Sequence, residues 1–570
     1  MKKLLVLSLS FILLFSAVAP AAASAADGGG KAVVVIPGVM ETMLQVFEPD
    51  LYDRRFYDEA GAYLRADGTI KDLIKGALLA LFLNRYEPLN ASLERLNDAA
   101  VGRLDMTPDG KSWYDVRPVI TGVENCSVAA IHAAGRWKDV DIGGQIALVF
   151  AERVGGENVF LFPYDWRLGP AELSEQLSAF IAGVKEQTGA DKVDLYANSY
   201  GCQVAAQLLY QTGGAADIES VVFNAPAWRG TRLFRALITE SPSELVFNTD
   251  AAADLLLRFL EKDLNVAPFT RLLPKRFVGR VMHTLIDRTV RAHLLYSPGL
   301  WSCCATEDYE EMKALLLDET KDAAFIKKID EAQYGVMRHI PDVLAEAEAN
   351  GIRTAITVNA GNKLIAGDRI NGDGIVDIVS ASGCEAAPVG CRLPDGRTGV
   401  HVSPDGTVDM TASFLPERTW VISGQTHGMT AWDGVTAELI PALLLGDEIE
   451  TVFSDPRFPQ FLDSRCPALD VSLRLAGGAE KTLIPVNGPV KAELRNDSDK
   501  TVIVAAVTVC GMPYAVTPAA GKLAPGEAKT VTLTPLTRQA APAYGSVRIS
   551  YVDVGYLPVA KSRTFGFKVG

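Results

Sequence analysis

The arrangement of apolar residues between positions 31 and 423 constrains the fold of this chain more than any other feature of its sequence. Short, nearly unbroken runs rich in β-branched residues alternate with longer segments of helical spacing. Strands that are apolar on both faces are typical of a parallel sheet covered by helices on its two sides. The pattern therefore predicts a doubly wound, mostly parallel α/β fold with strands at residues 32–36, 158–162, 192–196, 220–223, 354–358 and 419–423.

Two long segments, at about 48–135 and 232–345, contain no comparable series of strands and are rich in helical patterns. We expect them to be helical cap or lid insertions above the sheet. One of them contains an apolar helical run at residues 73–84. Such a run either packs on the core or, as part of a lid, makes transient contact with a membrane surface.

The first residues have the pattern of a secretory signal peptide. Lys2 and Lys3 precede an apolar run at residues 4–18, and small residues follow up to an Ala-x-Ala site that ends at Ala25. The run is shorter than the ~20 residues of a spanning helix, which favours cleavage near Ala25 over a retained membrane anchor. The sequence thus predicts a secreted or extracytoplasmic protein.

The pattern changes again near residue 458. Short alternating strands, for example 502–509 and 530–534, are separated by turns that contain Gly and Pro, without helical segments between them. This spacing indicates an Ig-like β-sandwich with a stabilising or docking role. The sequence therefore predicts a signal peptide (1–25), an α/β domain with its insertions (26–457) and a β-sandwich domain (458–570).

Composition excludes several classes of protein. The 570 residues are 48% hydrophobic and 22% charged, which is close to the globular average and unlike a disordered chain. The formal net charge is −14, and no block of Lys or Arg is present. Because binding to nucleic acid requires a concentrated basic surface, a nucleic-acid partner is not expected.

The cysteines favour disulfide chemistry over metal binding. Eight cysteines in an exported chain permit disulfides, and Cys384 and Cys391, which share a loop, are the best candidates for a pair. Cys202 opens a helical segment and is expected to be a small buried thiol. No Cys-x-x-Cys pair is present, so a zinc ribbon has no support and no metal is predicted.

A candidate nucleophile lies between the predicted strand 192–196 and the helical segment that follows it. The linking residues are Ala197-Asn198-Ser199-Tyr200-Gly201. A strand, a sharp turn and a helix are the context of a nucleophile elbow, in which small flanking residues allow a close backbone approach. The first position is Ala rather than Gly, an addition of one methyl group. We therefore predict Ser199 as the nucleophile.

A serine hydroxyl needs a base, and in this fold the chain order is Ser, then Asp or Glu, then His. Of the six histidines, His427 follows the last predicted strand of the sheet and precedes the apolar segment 435–444. A loop at that position points back over the sheet. His427 is therefore the predicted base.

Two aspartates are candidates for the acid. Asp373 lies in a turn soon after the strand 354–358, as expected for a loop at the carboxyl edge of the sheet, whereas Asp405 lies farther on and closer to His427 in sequence. Asp373 is preferred. A calcium loop that begins at Asp368 is a further interpretation, although its first ligand spacing is one residue too long.

Acyl transfer also requires donors for the oxyanion. They normally come from the backbone N–H of the residue after the nucleophile, here Tyr200, and from a loop after an early strand. The turn after Ile36-Pro37-Gly38 fits the second role, with Val39 as the predicted donor and Met40 as the alternative.

Several motifs resemble the lecithin:cholesterol acyltransferase and lysosomal phospholipase A2 family of α/β-hydrolases. They occur in the order and approximate spacing of that family between about residues 31 and 450: Ile36-Pro-Gly38, Phe162-Pro-Tyr-Asp-Trp-Arg167, Ala197-Asn-Ser-Tyr-Gly-Cys202 and Asn224-Ala-Pro-Ala-Trp-Arg-Gly230. Departures from the family pattern are Ala197 in place of Gly, a longer stretch between acid and base, and the appended C-terminal domain.

The resemblance implies a Ser-Asp-His triad, an oxyanion donor directly after Pro-Gly, a cap with a mobile lid, and chemistry on ester-linked acyl chains. Matching motifs place these roles on Ser199, His427, Val39 and Tyr200, with Asp373 as the acid. Asp165, Trp166 and Arg167 are expected to support the site structurally, and Trp228 and Arg229 to line the pocket.

The sequence thus predicts a secreted serine hydrolase that acts on carboxylic, especially lipid, esters through an acyl-enzyme. Hydrolysis by water would make it an esterase, lipase or phospholipase, and transfer to an alcohol would make it an O-acyltransferase. Neither a metal nor an organic cofactor is predicted. The alternative is a secreted binding or adhesion protein that keeps a non-catalytic hydrolase scaffold.

Overall fold

A central parallel sheet forms from the six predicted apolar runs and one further strand. In the computed structural model the strands lie in the order β13 (Phe461–Asp463), β12 (Thr419–Ser423), β7 (Arg353–Ala360), β6 (Ile218–Asn224), β5 (Val193–Asn198), β1 (Ala32–Ile36) and β4 (Val159–Leu161), and every neighbouring pair is parallel. The structure describes residues 31–47, 69–140, 143–212, 216–239, 277, 280–281, 284, 287–364, 369–394, 397, 399–427, 435–446, 448–455, 457–463, 471–475, 483–484, 488–496, 501–510, 513–518, 520–537, 543–553 and 560–569.

The strands of the α/β region are short. They are β1 Ala32–Ile36, β2 Leu44–Val46, β3 Val116–Pro118, β4 Val159–Leu161, β5 Val193–Asn198, β6 Ile218–Asn224, β7 Arg353–Ala360, β8 Asn362–Lys363, β9 Asn371–Gly372, β10 Glu385–Ala386, β11 Val408–Asp409, β12 Thr419–Ser423 and β13 Phe461–Asp463. The edge strand β13 was not predicted, because three residues are too few to give a recognisable pattern.

The α-helices lie between these strands and within the two insertions. They span Thr69–Leu83, Glu87–Val101, Val128–Ala133, Gly143–Val154, Pro170–Thr188, Gly201–Thr212, Leu233–Thr239, Pro298–Ser302, Tyr309–Leu316, Ala323–Tyr334, Ile340–Ala349, Ile378–Ser382 and Val435–Leu445, with a π-helical segment at Thr289–Leu294. Helix 170–188 has proline at its first position and ends at Gly189, whose φ of +72° permits a left-handed cap.

Helices cover both faces of the sheet, as the sequence predicted. In β1, Val34 and Ile36 pack into a large core with helices 170–188 and 201–212. Val33 and Val35 point to the opposite face, where they pack with helices 143–154 and 435–445. Alternate residues of one strand are thus buried in two different cores, which explains why the strand has no polar face.

The two segments expected to be insertions contain several helices among their described residues. The predicted run at 73–84 lies in helix 69–83, whose Gly76 is close enough to the backbone of Leu89 that a Cβ there would come within 2.7 Å of the Leu89 Cα atom. The helix therefore packs tightly on helix 87–101. Leu78, Phe82 and Leu83 of this helix are exposed, and Phe82 is 78% accessible.

Arg167 joins the two insertions to the sheet. Its guanidinium is buried and makes a bidentate ion pair with Asp165, with N–O distances of 2.9 and 2.6 Å. It also donates to the Leu104 carbonyl and the Ser112 hydroxyl. The backbone carbonyl of Arg167 accepts hydrogen bonds from Ser297 and Gly299. This geometry agrees with the structural role predicted for Asp165 and Arg167.

The C-terminal region contains two small sheets. One is antiparallel, with order β14-β16-β20-β18, and the other has order β15-β22-β21-β17-β19, antiparallel except for the pair β15 and β22. Buried side chains from both sheets belong to one apolar cluster. The Ig-like sandwich and the domain boundaries stay predictions. The strands are β14 Val471–Leu475, β15 Leu483–Ile484, β16 Val490–Asn496, β17 Val502–Cys510, β18 Tyr514–Thr517, β19 Gly521–Leu523, β20 Ala528–Pro535, β21 Ala543–Asp553 and β22 Ala560–Val569.

The disulfide predicted between Cys384 and Cys391 is wrong for this structure, where both are free thiols. The Cys384 sulfur is buried and lies 3.8 Å from the Ile378 carbonyl oxygen, whereas the Cys391 sulfur lies 3.3 Å from the Arg369 guanidinium. The two sulfur atoms therefore contact different residues and are not bonded to each other. Cys202 is a buried free thiol, as predicted.

No helix within the described ranges has both the length and the apolar character needed to cross a membrane. The predicted signal peptide, residues 1–25, lies outside the described residues.

Candidate active site

Ser199 lies at the carboxyl edge of the sheet in a strained backbone conformation. It follows β5 and precedes helix 201–212, and its φ is +52°, a left-handed value that is unusual for a residue with a side chain. Its backbone N–H donates to the Asn224 carbonyl at 2.9 Å. Such strain costs about 1–3 kcal/mol and persists where the surrounding structure imposes it. The turn therefore has the geometry expected of a nucleophile elbow.

Gly201 explains the need for small residues in this turn. A Cβ atom at this position would lie 2.6 Å from the Ile36 carbonyl oxygen and 2.5 Å from that of Pro37. The start of the helix therefore approaches the end of β1 more closely than any side chain would permit.

We expect Gly201→Ala to destabilise the fold by about 1–3 kcal/mol, the usual cost of forcing a methyl group into a packed site. Urea unfolding of the full chain measures this change. Gly399→Ala is the matched control, since a Cβ there meets only the Val402 Cγ2 atom at 3.5 Å. Equal stability of the two variants would contradict the close approach.

His427 and Asp373 complete a hydrogen-bonded row with Ser199. The His427 Nε2 atom lies 2.8 Å from Ser199 Oγ, and its Nδ1 atom lies 2.7 Å from Asp373 Oδ2. Because a carboxylate only accepts, the Nδ1 atom carries the proton and the neutral Nε2 atom accepts from the Ser199 hydroxyl. The structure thus brings together three residues that are far apart in sequence.

Two features fix the orientation of Asp373. Its Oδ1 atom accepts hydrogen bonds from the backbone N–H groups of Ile375 and Val376, at 2.9 and 2.7 Å. This leaves Oδ2 for His427, whose backbone N–H also donates to the Asp373 carbonyl at 3.1 Å. Both oxygens of the carboxylate are therefore occupied.

Asp405, the other candidate acid, interacts with its own turn. Its Oδ1 atom accepts from the Ser403 hydroxyl at 2.6 Å and from the Thr407 hydroxyl at 2.8 Å. The calcium-loop interpretation has no support among the described residues, because Asp373 contacts His427 and Asp377 caps helix 378–382 through Ser380. Asp368, its first residue, lies outside the described residues. Within the described ranges, no group of three or more metal-ligating side chains is arranged around a common point.

The electrostatics of the site stabilise the charged form of the His427 imidazole more than solvent would. Burial alone lowers the pKa of His427, but the charge and hydrogen bond of Asp373, together with the charge of Glu41, raise that pKa above its usual value. The His427 side chain is only 13% exposed. An imidazolium formed by proton transfer from Ser199 would therefore be stabilised where it forms.

The predicted oxyanion donors lie next to Ser199. A Cβ atom at Gly38 would come within 2.9 Å of the Ser199 Cβ atom, so the turn after β1 packs directly on Ser199. Within the described part of the chain, the backbone N–H groups of Val39, Met40 and Tyr200 donate to no other residue. All three are thus available as donors, and the choice between Val39 and Met40 stays a prediction.

Two residues that support this turn were missed by the sequence analysis. The Tyr164 hydroxyl donates to the Pro37 carbonyl, and burial raises the pKa of Tyr164 well above its usual value, which keeps the donor protonated. The buried Glu41 carboxylate accepts from the Gly38 N–H and, at 2.7 Å, from the Asn198 side chain. The only sequence signals were a tyrosine in the Pro-Tyr-Asp-Trp-Arg element and a charged residue in an apolar setting.

Trp228 is part of the core, contrary to its predicted place in the pocket. It is fully buried, and its indole N–H donates to the Cys202 carbonyl at 3.2 Å. Arg229 is partly exposed, and its guanidinium lies 4.9 Å from the centre of the Phe414 ring.

No family model matches the chain, and neither does any curated protein. Among solved structures, the chain is similar to the lipase BlEst2 of Bacillus licheniformis in its propeptide form, with 12% sequence identity and a TM-score of 0.25. The match covers 78% of this chain and 94% of the lipase chain. A nucleoside hydrolase-related hypothetical protein of Saccharophagus degradans has 8% identity, 79% and 91% coverage and a TM-score of 0.25.

A shorter likeness involves the Salmonella enterica SafA pilin in complex with the SafB chaperone, with 11% identity and a TM-score of 0.15. The matched region covers 17% of the present chain and 53% of the matched chain, so the present chain spans about half the length of this structure. Likenesses of this strength assign no activity. The family resemblance noted in the sequence accordingly stays a prediction.

Proposed function

We propose that this protein is a serine hydrolase of carboxylic esters that works through an acyl-enzyme. The observation that carries the proposal is the row of hydrogen bonds from Ser199 through His427 to Asp373, with Ser199 at the strained end of a strand. A hydroxyl, a base and a buried acid in this order are the parts needed to activate a weak nucleophile.

The reaction begins when Ser199 Oγ attacks the ester carbonyl as its proton passes to His427 Nε2. The negative charge on the tetrahedral oxygen is stabilised by the N–H of Tyr200 and by that of Val39 or Met40. Collapse of this intermediate breaks the carbon–oxygen bond, and the alcohol leaves with the proton from His427. The acyl group then remains on Ser199 as an ester.

A second acceptor completes the cycle. Water gives hydrolysis, with the carboxylic acid as product, and an alcohol gives a new ester by acyl transfer. In both cases His427 removes the acceptor's proton and returns it to Ser199. Asp373 keeps the imidazole in the productive tautomer and stabilises its charged form.

Lipid esters are the proposed substrate class, with the protein exported by its N-terminal segment. Support for a lipid comes from helix 69–83, in which Leu78 and Phe82, four residues apart and therefore on one side of the helix, are exposed, as is Leu83 at its C-terminal end. Exposed apolar side chains on one side of a helix are suited to transient contact with a membrane surface. The role proposed for the C-terminal sheets is docking or stabilisation.

Labelling with a fluorophosphonate tests the proposal, because this reagent reacts much faster with an activated serine than with an ordinary hydroxyl group. We expect peptide mapping to place the label on Ser199, and His427→Ala to abolish it. His132→Ala is the matched control, since His132 is exposed and stacks on Trp137. A folded wild-type chain that takes up no label would contradict the proposal and favour the binding or adhesion protein.

Turnover of p-nitrophenyl esters of increasing chain length, with and without phospholipid vesicles, tests the substrate class. We expect activity to rise with chain length and with vesicles. Activity on short esters alone, unaffected by vesicles, would contradict the lipid assignment but not the ester chemistry.

A further inference from the structure

Glu41 is a second buried carboxylate beside the Ser199 site. It lies in the turn after β1, and its side chain is 7% exposed. Within the described part of the chain, no Lys or Arg forms an ion pair with it. Burying a carboxylate without a cation costs several kcal/mol, and such groups are concentrated at functional sites.

A directed chain of hydrogen bonds compensates for the missing cation. The Thr357 hydroxyl donates to Asn224 Oδ1, Asn224 Nδ2 donates to Asn198 Oδ1, and Asn198 Nδ2 donates to Glu41 Oε1, each at 2.7 Å. Every donor in this chain points towards Glu41. Successive hydrogen bonds in one direction polarise each other, so the chain favours a negative charge at its end.

The second oxygen of Glu41 holds the turn that carries the proposed oxyanion donors. Glu41 Oε2 accepts from the Gly38 N–H, and the Glu41 backbone N–H donates to the Gly38 carbonyl at 3.2 Å. Between these two contacts lie Val39 and Met40, the latter at a φ of +61°. Both the side chain and the main chain of Glu41 are therefore hydrogen-bonded to Gly38.

The charge of Glu41 also acts on the proposed base. Burial raises the pKa of Glu41, whereas the hydrogen bonds from Gly38 and Asn198 and the charge of His427 lower that pKa. In return, the charge of Glu41 contributes to the raised pKa of His427. The other titratable groups that sense Glu41 are Tyr164 and Cys202, whose pKa values are raised chiefly by burial, so both are neutral at pH 7.

We propose that Glu41 is a positioning residue of the Ser199 site, which anchors the 37–41 turn to strand β5 and places a second negative charge near His427. This inference rests on the proposed function. Glu41 would thus have two roles. Anchoring the turn requires the full length of its side chain, whereas stabilising the imidazolium of His427 requires only its negative charge.

Glu41→Gln in the full chain tests both roles. A glutamine side chain has one accepting oxygen and one donating NH₂ group, so it cannot accept from both Gly38 and Asn198 with separate atoms as Glu41 does. We therefore expect kcat for a short p-nitrophenyl ester to fall by about 10- to 100-fold. Loss of the negative charge makes the imidazolium less stable. The acidic limb of kcat/KM against pH should therefore move to lower pH, by about 0.5 to 1 unit.

Glu41→Asp separates the two roles. It retains the charge but is one methylene too short to reach both Gly38 and Asn198. We expect kcat to fall while the acidic limb stays at its wild-type position. Thr42→Val is the matched control, because the buried Thr42 hydroxyl has no hydrogen-bond partner among the described residues, and both kcat and the acidic limb should be unchanged.

The outcomes distinguish the inference from the proposed function. A wild-type chain that turns over no ester and takes up no fluorophosphonate overturns both. An active wild type whose kcat and pH profile are unaltered by Glu41→Gln overturns the inference alone. A loss of kcat with an unmoved acidic limb overturns the role of the charge. If Glu41→Gln does not fold, Asn198→Ala, which removes one donor to Glu41, should still reduce kcat several-fold, and an unchanged kcat would overturn the anchoring role.

Discussion

Replacing His427 with alanine should lower kcat for ester hydrolysis by about 10⁶-fold and change KM by less than about threefold, the pattern of an interaction made mainly in the transition state. The Ser199 hydroxyl would then lose the group that takes its proton, at 2.8 Å in the structure. Binding of the ester would be retained, because His427 acts on the nucleophile. Steady-state kinetics with a p-nitrophenyl ester measure both constants.

His401→Ala is the matched control for this loss. His401 also lies in a loop beside the sheet, but its Nδ1 atom contacts Gln460 Oε1 at 2.8 Å and has no contact with Ser199. We expect its kcat to stay within about threefold of the wild type, as for most changes outside a site. A His427→Ala variant with kcat within tenfold of wild type would exclude His427 as the base.

Replacing Asp373 with asparagine should lower kcat by about 10⁴-fold without unfolding the protein. The side-chain oxygen of asparagine would keep its hydrogen bonds from Ile375 and Val376. Its NH₂ group would then face His427 Nδ1, which would have to accept instead of donate. The proton would move to Nε2, and the imidazole could no longer accept the proton of Ser199.

Asp405→Asn is the matched control, since both aspartates lie in turns that follow β7. The Asp405 carboxylate bonds to Ser403 and Thr407 within its own turn. We expect its replacement to change kcat by less than about threefold. A loss of several orders of magnitude in Asp405→Asn alone, with Asp373→Asn unaffected, would reverse the assignment of the acid.

The sheet was predictable from the sequence because burial on both faces leaves a direct signal. Every residue of β1 is buried, so the strand is a continuous apolar run without a polar residue. Such a run is easily recognised in the sequence. The sharp turn that holds Ser199 was predictable for a different reason, since the close backbone approach at Gly201 admits only small residues. The three-residue edge strand β13 has neither signal.

Three features could not be predicted from the sequence: which of the two candidate acids faces His427, which residues support the 37–41 turn, and whether the cysteines are paired. Asp373 and Asp405 are both aspartates in turns, and what distinguishes them is which carboxylate faces His427. No spacing rule points to Glu41, because Gly38 lies in its own turn whereas Asn198 lies far away in sequence, at the end of β5. The Cys384–Cys391 prediction failed because closeness in sequence does not show that the Cys384 sulfur lies in the core beside Ile378.

The contacts of Arg167 have a consequence for how the site can open. One guanidinium binds Leu104 and Ser112 from the first insertion, while the same residue's carbonyl binds Ser297 and Gly299 from the second. Three positions earlier, the Tyr164 hydroxyl donates to the Pro37 carbonyl beside Ser199. A molecule that pushes either insertion aside at these contacts would pull on a buried cation and on the backbone next to Ser199. Under the proposed function, entry of a bulky acyl chain would therefore be mechanically linked to the alignment of Ser199 with His427.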